Sequence, residues 1–327
     1  MRRRDFIMLL GGAAAWPFAA RAQNADRIFR VGILSPSLVN PVDGPGFKAF
    51  ISELQKLGFT EGKNLVVEYR RADEGAIKAF TAANELGAAK ADVIVAAGPE
   101  IALQAAAAVR PVVPIVMLAN NFDPIARGYV AGLSRSGGNI TGLIERGPEL
   151  ATKQLEFLVE ACPDRSRMGV LWDSLSADQF AVAERAAASL HLSLHQIKLD
   201  NPPYDFDAAF QMMARDEVSM LLVLSSPLFT PQAAHIAELA IRFRLPSMFI
   251  FRLYVEAGGL MSYGFEPLFG YLRAASYVAK ILRGAQPAEL PVEQVDRFEF
   301  ALNLKTAKAI GVSLPTSLLL RADEVIE

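Results

Sequence analysis

One short pattern occurs twice in this chain, at a separation that constrains how the whole chain can fold. Residues 30–37 read RVGILSPS and residues 167–174 read RMGVLWDS. Each copy runs from an arginine through apolar residues with one glycine to small polar residues, which is typical of a buried parallel strand leading into a turn. The offset from Arg30 to Arg167 is 137 residues, far longer than the roughly 20 to 50 residue periods of solenoids and propellers. The repeat therefore predicts two domains of similar topology.

The composition agrees with two globular domains and gives no sign of a disulfide or a metal site. Of the 327 residues, 52% are hydrophobic and 21% are charged, and a chain of this length usually forms two hydrophobic cores. The single cysteine, Cys162, has no partner for a disulfide and lacks the companions that a zinc site requires. We predict that Cys162 is a packing residue, and that the protein has no metal and no cofactor.

The N-terminus has the pattern of an export signal. Residues 2–4 are arginines, an apolar stretch of about fifteen residues follows, and Ala20-Arg21-Ala22 forms a cleavage-site pattern. The stretch is short for a membrane span, which needs roughly 20 residues, and RRDFI at residues 3–7 resembles a twin-arginine signal. We predict cleavage after Ala22 and a periplasmic location.

The charge balance argues against a nucleic-acid partner. The full sequence has 33 basic and 35 acidic residues. Removal of the signal takes away four arginines and one aspartate, which leaves 29 basic and 34 acidic residues, a net charge near −5. The chain also lacks a basic stripe or a run of lysine and arginine interleaved with aromatic residues, so nucleic-acid binding has no support.

Strand-length apolar runs alternate with helix-length amphipathic segments in both halves of the chain. The predicted strands are residues 30–35, 65–69, 92–98 and 114–120, and then 167–172, 192–199, 219–226 and 246–252. Predicted helices lie between them at 47–57 and 101–109, and at 177–190, 206–214 and 231–243. This alternation predicts the α/β class, with two Rossmann-like lobes that each contain a parallel sheet.

Ligands of parallel sheets bind beyond the carboxyl ends of the strands, where helix N-termini present free N–H groups. Two such edges that face each other would form a cleft. The candidate ligand-binding residues are therefore those at the predicted strand ends, namely Ser35, Pro36, Ser37, Gly98, Pro99, Glu100, Asn120, Asn121, Asp123, Trp172, Asp173, Ser225, Ser226, Phe251 and Arg252.

Several longer motifs resemble one known family across nearly the whole chain beyond the signal. They are LGFTEGKNLVVEYR at 57–70, DVIVAAG at 92–98, PIVMLAN at 114–120 with Asp123-Pro124, SGGNITGL at 136–143, VEAGGLMSYG at 255–264 and NLKTAKAIGVSLP at 303–315. On these motifs the chain resembles the periplasmic substrate-binding proteins of ABC transporters, in the group related to tryptophan- and tyrosine-binding proteins.

The resemblance implies a type I periplasmic binding protein, in which hinge crossings join two lobes that close on a ligand. We expect the crossings near residues 141–145, 264–267 and 284–291. The first lobe would comprise residues 23–142 and about 266–286, and the second residues 143–265 and about 287–327, after an export signal at 1–22.

The chain departs from the family pattern at three strand ends. Relatives often have Gly-Thr-Pro where this chain has Ala97-Gly98-Pro99, and Asn-Pro where it has Asp173-Ser174. The segment before Asp123, usually small and rich in glycine, is Asn120-Asn121-Phe122. We therefore expect the chemistry of the cleft to differ from that of the relatives.

In the cleft so predicted, the N–H groups of Glu100 and Ile101, with the side chains of Ser35, Asn120 and Asn121, would hold a carboxylate or a similar anion. Aromatic, acidic and basic residues would complete the site. Trp172 or Phe251 would stack on a flat or apolar ligand body, Asp173 would meet an ammonium group, and Arg252 a second anion.

Each of these residues also has a purely structural interpretation. Trp172 and Phe251 end predicted strands and fit a hydrophobic core. Asp173 and Asp123 suit helix caps or turns, where aspartate is favoured for its backbone hydrogen bonds. Arg252 could form a surface salt bridge with Glu256, which lies four residues later in the chain.

The sequence motifs give no support for an enzymatic or a dinucleotide-binding function. GPGFKA at 44–49 fits a G-x-G-x-x-A pattern, but nine residues separate it from Leu34 and it contains a proline. The chain has no G-x-S-x-G elbow, P-loop or H-E-x-x-H motif. His191 and His195 straddle a predicted helix-to-strand boundary, so they need not share a face.

The sequence thus predicts a solute-binding protein and not an enzyme. It would capture an amino-acid-like molecule or an aromatic carboxylate between its lobes and deliver it to an ABC transporter permease in the inner membrane. The alternative is a sensory protein that presents its closed form to a membrane receptor, since both functions use one closing cleft. We expect a monomer, because a closing cleft needs no second chain to complete it.

Overall fold

A computed structural model describes residues 27–36, 44–72 and 76–327 of the chain. The predicted export signal at 1–22 and the candidate residue Ser37 lie outside these described residues. The two copies of the repeated pattern form strands β1 (Phe29–Ser35) and β6 (Arg167–Trp172). Both strands are buried along most of their length, as the sequence predicted.

The elements of the first half follow the predicted alternation of strand and helix. In chain order they are α1 (Pro45–Lys56), β2 (Leu65–Arg71), α2 (Ala76–Ala88), β3 (Val93–Gly98), α3 (Glu100–Ala107), β4 (Ile115–Ala119) and β5 (Ile140–Ile144).

The second half repeats this order from α4 (Gly147–Ala161) onward. After β6 come α5 (Ala177–Ser189), β7 (Ser193–Lys198), α6 (Phe206–Arg215), β8 (Met220–Val223), α7 (Ala233–Arg242), β9 (Ser247–Phe249), α8 (Arg252–Glu256) and β10 (Met261–Phe265). The C-terminal part contains α9 (Pro267–Leu282), β11 (Val292–Gln294), β12 (Phe298–Asn303), α10 (Leu304–Ile310), α11 (Thr316–Leu319) and β13 (Glu324–Ile326).

The strands form two sheets with matching central topology. The first sheet is parallel and has the order β11-β5-β4-β3-β1-β2, and the second has the order β13-β12-β10-β9-β8-β6-β7. The pair β10–β12 is antiparallel. The repeated arginines occupy matching places, since the carbonyl of Arg30 accepts from the N–H of Asp92 (2.8 Å) and that of Arg167 from Ser219 (2.9 Å). The predicted α/β fold of two Rossmann-like lobes is confirmed.

Each sheet is covered by helices on both faces, so each lobe has its own hydrophobic core. In the first lobe, α1 and α9 pack on one face while α2 and α3 pack on the other. In the second lobe, α4 and α5 cover one face while α6 and α7 cover the other. No helix within the described ranges is long and apolar enough to span a bilayer.

The chain passes between the two sheets three times. The first passage lies between Ile144 and Gly147 and the second between Phe265 and Pro267, close to where the sequence places them. The third was expected at residues 284–291 and lies instead between Gln294 and Phe298.

The third passage comes later because the segment before it stays attached to the first lobe. The hydroxyls of Ser136 and Thr141 donate to the carbonyls of Pro287 and Pro291, each at 2.9 Å. Strand β11 then adds to the edge of the first sheet beside β5. A three-residue edge strand has too short a pattern to be recognised in the sequence.

Backbone contacts hold the first passage tightly against the end of β4. The N–H of Glu145 donates to the carbonyl of Ala119 at 2.7 Å, and that of Gly147 donates to Asn120 at 2.9 Å. Arg146 between them has a φ of +50°, which is uncommon for a residue other than glycine. This connection places Glu145 and Asn120 next to each other at the entrance to the second lobe.

Candidate functional site

The carboxyl ends of the strands of the two sheets face each other across a cavity of about 340 Å³. The first lobe lines it with residues at the ends of β1, β3 and β4, and the second with residues that follow β8 and β9. Seven of the candidate residues line it, namely Ser35, Pro36, Gly98, Pro99, Asn120, Ser225 and Phe251. A molecule in this cavity would contact both lobes at once.

Aromatic side chains from both lobes form most of the apolar wall of the cavity. Phe47, Tyr69 and Tyr271 belong to the first lobe, while Phe251 and Phe265 come from the second lobe and its passage to the first. The rings of Phe251 and Phe265 pack edge to face, with centroids 5.3 Å apart. Such walls favour a flat or bulky apolar ligand body.

Glu145 is a cavity residue that the sequence reasoning missed. Its side chain lines the cavity and is 6% exposed. Within the described residues, no hydrogen bond or ion pair to its carboxyl group is found, and burial alone raises the pKa of Glu145 to about 8. The signal in the sequence was an acidic residue directly after the apolar strand ITGLI, where we expected only a hinge.

The close approach of α9 to this carboxyl group depends on glycine. A Cβ atom at Gly270 would lie 2.7 Å from Oε1 of Glu145, which is closer than any van der Waals contact permits. The next residue, Tyr271, also lines the cavity. Burial raises the pKa of the Tyr271 phenol, and the neighbouring Glu145 adds to the shift.

A second acceptor without a partner is the amide oxygen of Asn120. Its Oδ1 atom is buried and has no hydrogen-bond donor in the described structure, although the residue lines the cavity. Buried polar atoms are nearly always hydrogen-bonded. The cavity therefore presents two acceptors, Glu145 and Asn120, that a ligand donor would satisfy.

The adjacent residue, Asn121, joins the two lobes through hydrogen bonds. Its Nδ2 atom donates to the carbonyls of Leu175 (3.1 Å) and Ser225 (2.9 Å) in the second lobe. Gln179 completes the arrangement, since its Nε2 donates to Asn121 Oδ1 at 3.1 Å and its Oε1 accepts from the Ser225 N–H at 2.9 Å. We call these four residues the interlobe latch.

We expect Asn121→Ala to weaken solute binding about tenfold, because the closed arrangement then leaves the Leu175 and Ser225 carbonyls without this donor. Calorimetric titration with a solute that the cavity binds checks this. The matched control is Asn139→Ala, since the Asn139 amide also donates to a carbonyl, that of Val113, but within the first lobe (2.7 Å). An equal loss of affinity in both variants would mean that the latch has no special role.

Two candidates, Glu100 and Asn121, line a neighbouring polar cavity of about 450 Å³ and not the aromatic one. Arg127 there contacts Asp178 of the second lobe at 2.9 Å and Glu100 at 3.6 Å. Ile101 lines the same polar cavity. The predicted N–H donors for a carboxylate thus lie where charged side chains already pair with one another.

Trp172 and Asp173 lie outside the lining of the aromatic cavity, and both make contacts within the second lobe. Trp172 stacks on Phe180 of α5 with centroids 4.2 Å apart, inside the core of the second lobe. Asp173 is fully buried and accepts hydrogen bonds from the Ser226 hydroxyl (2.5 Å), the Tyr204 hydroxyl (3.2 Å) and the Leu175 N–H (3.0 Å). Burial raises its pKa, and these hydrogen bonds oppose the shift. The Asp173 carboxylate is thus occupied by hydrogen bonds within the second lobe, one of them from Ser226.

Arg252 and Asp123 also take the structural roles that were weighed for them. Arg252 lies on the surface at the start of α8 and pairs with Glu256 (3.0 Å), Glu299 (3.0 Å) and Glu324 (2.7 Å). Asp123 Oδ1 accepts from the N–H groups of the two residues that follow Pro124, at 2.8 and 3.2 Å, so it caps a turn. Neither residue lines the aromatic cavity.

Across residues 27–36, 44–72 and 76–327, no cluster of three or more His, Cys, Asp or Glu side chains is arranged to hold a metal ion. Cys162 is buried in the core of the second lobe, and burial raises the pKa of its thiol.

The structure has two lobes of similar topology, which three passages join and which enclose an aromatic cavity between their strand ends. This is the arrangement of a two-lobed solute-binding protein of the type I periplasmic fold. The family described as ABC transporter substrate binding protein matches residues 33–326. The chain belongs to this family, which consists of binding proteins and not of enzymes.

Individual relatives are similar to this chain along most of its length. A "Tyrosine-binding protein" of Clostridioides difficile (strain R20291) is 23% identical over 269 residues, which cover 81% of this chain and 76% of the relative. The structure of a conserved domain protein from Vibrio cholerae has a TM-score of 0.82 at 24% identity and covers 91% of this chain and 100% of that one. An ABC domain from Streptococcus pneumoniae in complex with L-Trp has a TM-score of 0.80 at 22% identity, with the same coverage.

Proposed function

We propose that this protein captures an aromatic, amino-acid-like solute between its lobes in the periplasm and delivers it to the permease of an ABC importer. The observation that carries the proposal is the aromatic cavity, which residues of both lobes line. One relative is a "Tyrosine-binding protein" and another is an ABC domain in complex with L-Trp, which supports an aromatic body for the solute.

The physical basis of capture is a shift between open and closed arrangements of the lobes. A solute favours the closed form only through contacts that it makes there and not in the open form. An aromatic side chain that moves out of water buries roughly 150 to 250 Å², worth about 4 to 6 kcal/mol before the costs of association. Contacts with Asn120 in the first lobe and Phe251 in the second would therefore hold the lobes together.

Delivery to a permease is supported by the family and by the predicted export signal. Members of the family are substrate-binding proteins of ABC transporters, and a cleaved twin-arginine signal would release this chain into the periplasm. We expect a monomer as the active form, because a cleft that closes between two lobes of one chain needs no second chain to complete it.

A thermal-shift screen of the protein from Gln23 onward tests the proposal. The panel contains aromatic and aliphatic amino acids, benzoate-type acids and purines, and the protein is first unfolded and refolded to remove any solute bound during purification. Aromatic amino acids should raise the unfolding midpoint in a concentration-dependent way. At a concentration of 100 times Kd, the expected gain in the free energy of unfolding is about 2.7 kcal/mol. A midpoint that stays constant across the whole panel would contradict the proposal.

A further inference from the structure

The charge around the aromatic cavity is one-sided. Glu145 is the only acidic or basic residue among the described residues that line it, and the remaining ionisable groups there are the phenols of Tyr69 and Tyr271. The described lining contains no lysine, arginine or histidine. Arg127, which pairs with Glu100 and Asp178, lines the neighbouring polar cavity and not the aromatic one.

We infer that the solute is selected through a protonated nitrogen that binds Glu145 and Asn120, and that a carboxylate on the solute is dispensable. The inference rests on the proposed function, since it concerns the ligand of the same cavity. It names the solute class as aromatic or bulky apolar amines, of which amino acids would be one kind.

The cost of burying charge is the first argument for a cationic ligand. A carboxylate taken out of water without a partner is strongly destabilised, whereas a cation placed beside it recovers much of that free energy. Glu145 is 6% exposed, and the described chain supplies it with no partner. A ligand ammonium group would be that partner.

The second argument is the geometry that places two acceptors together. The backbone bonds from Glu145 N–H to the Ala119 carbonyl (2.7 Å) and from Gly147 N–H to the Asn120 carbonyl (2.9 Å) tie the two segments side by side. Asn120 Oδ1 is buried without a donor on the same side of the cavity. An ammonium group has three N–H donors and no acceptor, so it can satisfy both oxygens at once.

Among the described residues that line the cavity, a ligand carboxylate finds no basic side chain. Anions in protein sites are held by basic side chains or by free N–H groups at helix N-termini. The predicted N–H donors at Glu100 and Ile101 line the polar cavity instead. A carboxylate near Glu145 would in addition be repelled once Glu145 is ionised.

A consequence of this inference is that binding of an amine releases a proton. The groups that face Glu145 are the phenol of Tyr271 on α9, whose pKa is raised by burial, and, beyond it, the phenol of Tyr69 on β2. Burial raises the pKa of Glu145 to about 8, so the empty cavity holds the protonated acid at pH 7. A bound cation favours the carboxylate, and the proton leaves to solvent.

Three matched compounds test the inference by calorimetric titration at pH 7. Phenethylamine carries only the amine, phenylalanine carries both groups, and 3-phenylpropionate carries only the carboxylate. We expect the first two to bind, the acid to bind at least about 100-fold more weakly, and Glu145→Gln to reduce phenethylamine affinity by about 100-fold. The control is Glu149→Gln, an exposed acid near the same passage that pairs with Arg146 at 3.7 Å.

Calorimetric titrations of the wild-type protein in buffers of different ionisation enthalpy measure the number of protons released on binding, and they need no variant. Release of close to one proton per phenethylamine supports the inference, and no release overturns it. Equal affinities for phenethylamine and 3-phenylpropionate would also overturn it. If none of the three compounds binds while a purine or another solute raises the thermal midpoint, the inference fails and solute capture stands. If nothing binds, the proposed function fails as well.

Discussion

Replacement of Gly147 by alanine is expected to weaken solute binding by about 10- to 100-fold while both lobes stay folded. A Cβ atom at this position would lie 2.2 Å from the Asn120 carbonyl oxygen and 2.8 Å from Gln179 Nε2. The added methyl group therefore clashes with the end of β4 and with the interlobe latch, next to the first passage. Relief of the clash requires α4 to move away from the first lobe, which opens the cavity.

The effect of Gly147→Ala on solute affinity and on lobe closure is measured by calorimetric titration together with small-angle X-ray scattering. Gly147→Ala should show lower affinity and a larger radius of gyration at saturating solute than the wild type. Gly132→Ala is the matched control, because a Cβ atom there would have no neighbour within 4 Å. Wild-type affinity in the Gly147 variant would show that the lobes do not need this close approach.

A second large effect concerns the pH dependence of stability in the absence of ligand. Burial raises the pKa of Glu145 from 4.5 to about 8 in the folded state. Between these values the folded protein binds a proton that the unfolded chain has lost, so the stability contributed by this group falls as pH rises. From pH 4.5 to above 8 the loss amounts to about 5 kcal/mol.

Glu145→Gln removes this dependence because glutamine does not titrate. We expect the variant and the wild type to have similar free energies of unfolding at pH 4.5, and the variant to be more stable by several kcal/mol at pH 8.5. Urea unfolding at the two pH values measures the difference. Parallel pH profiles for the two proteins would show that Glu145 is hydrated or paired in the folded protein.

The fold was largely predictable from the sequence because its main signals are local. After the leading arginine, the runs RVGILS and RMGVLW consist mainly of apolar residues and glycine, and they form buried interior strands of the two sheets. The third passage was misplaced because β11 has three residues and is recognised only by its pairing with β5. Edge pairing of this kind depends on tertiary contacts and leaves no periodic pattern.

The site was predictable at the level of strand ends and less so at the level of side chains. Ser35, Asn120 and Phe251 line the cavity, since their strands end at the facing edges. Trp172 also ends a strand, but Phe180 of α5 covers it, and a helix packing on a strand end is not visible in the sequence of that strand. Glu145 was missed because its burial arises from α9, which lies more than a hundred residues further along the chain.

The most direct test of the account is calorimetric titration of one variant from each lobe with the solute that gives the largest thermal shift. Asn120→Ala and Phe251→Ala each remove a cavity contact from a different lobe, and Arg252→Gln alters the surface cluster beside Phe251 as the control. The account predicts at least a roughly tenfold loss of affinity in both cavity variants and little change in the control. Wild-type affinity in either cavity variant would contradict a solute held between the two lobes.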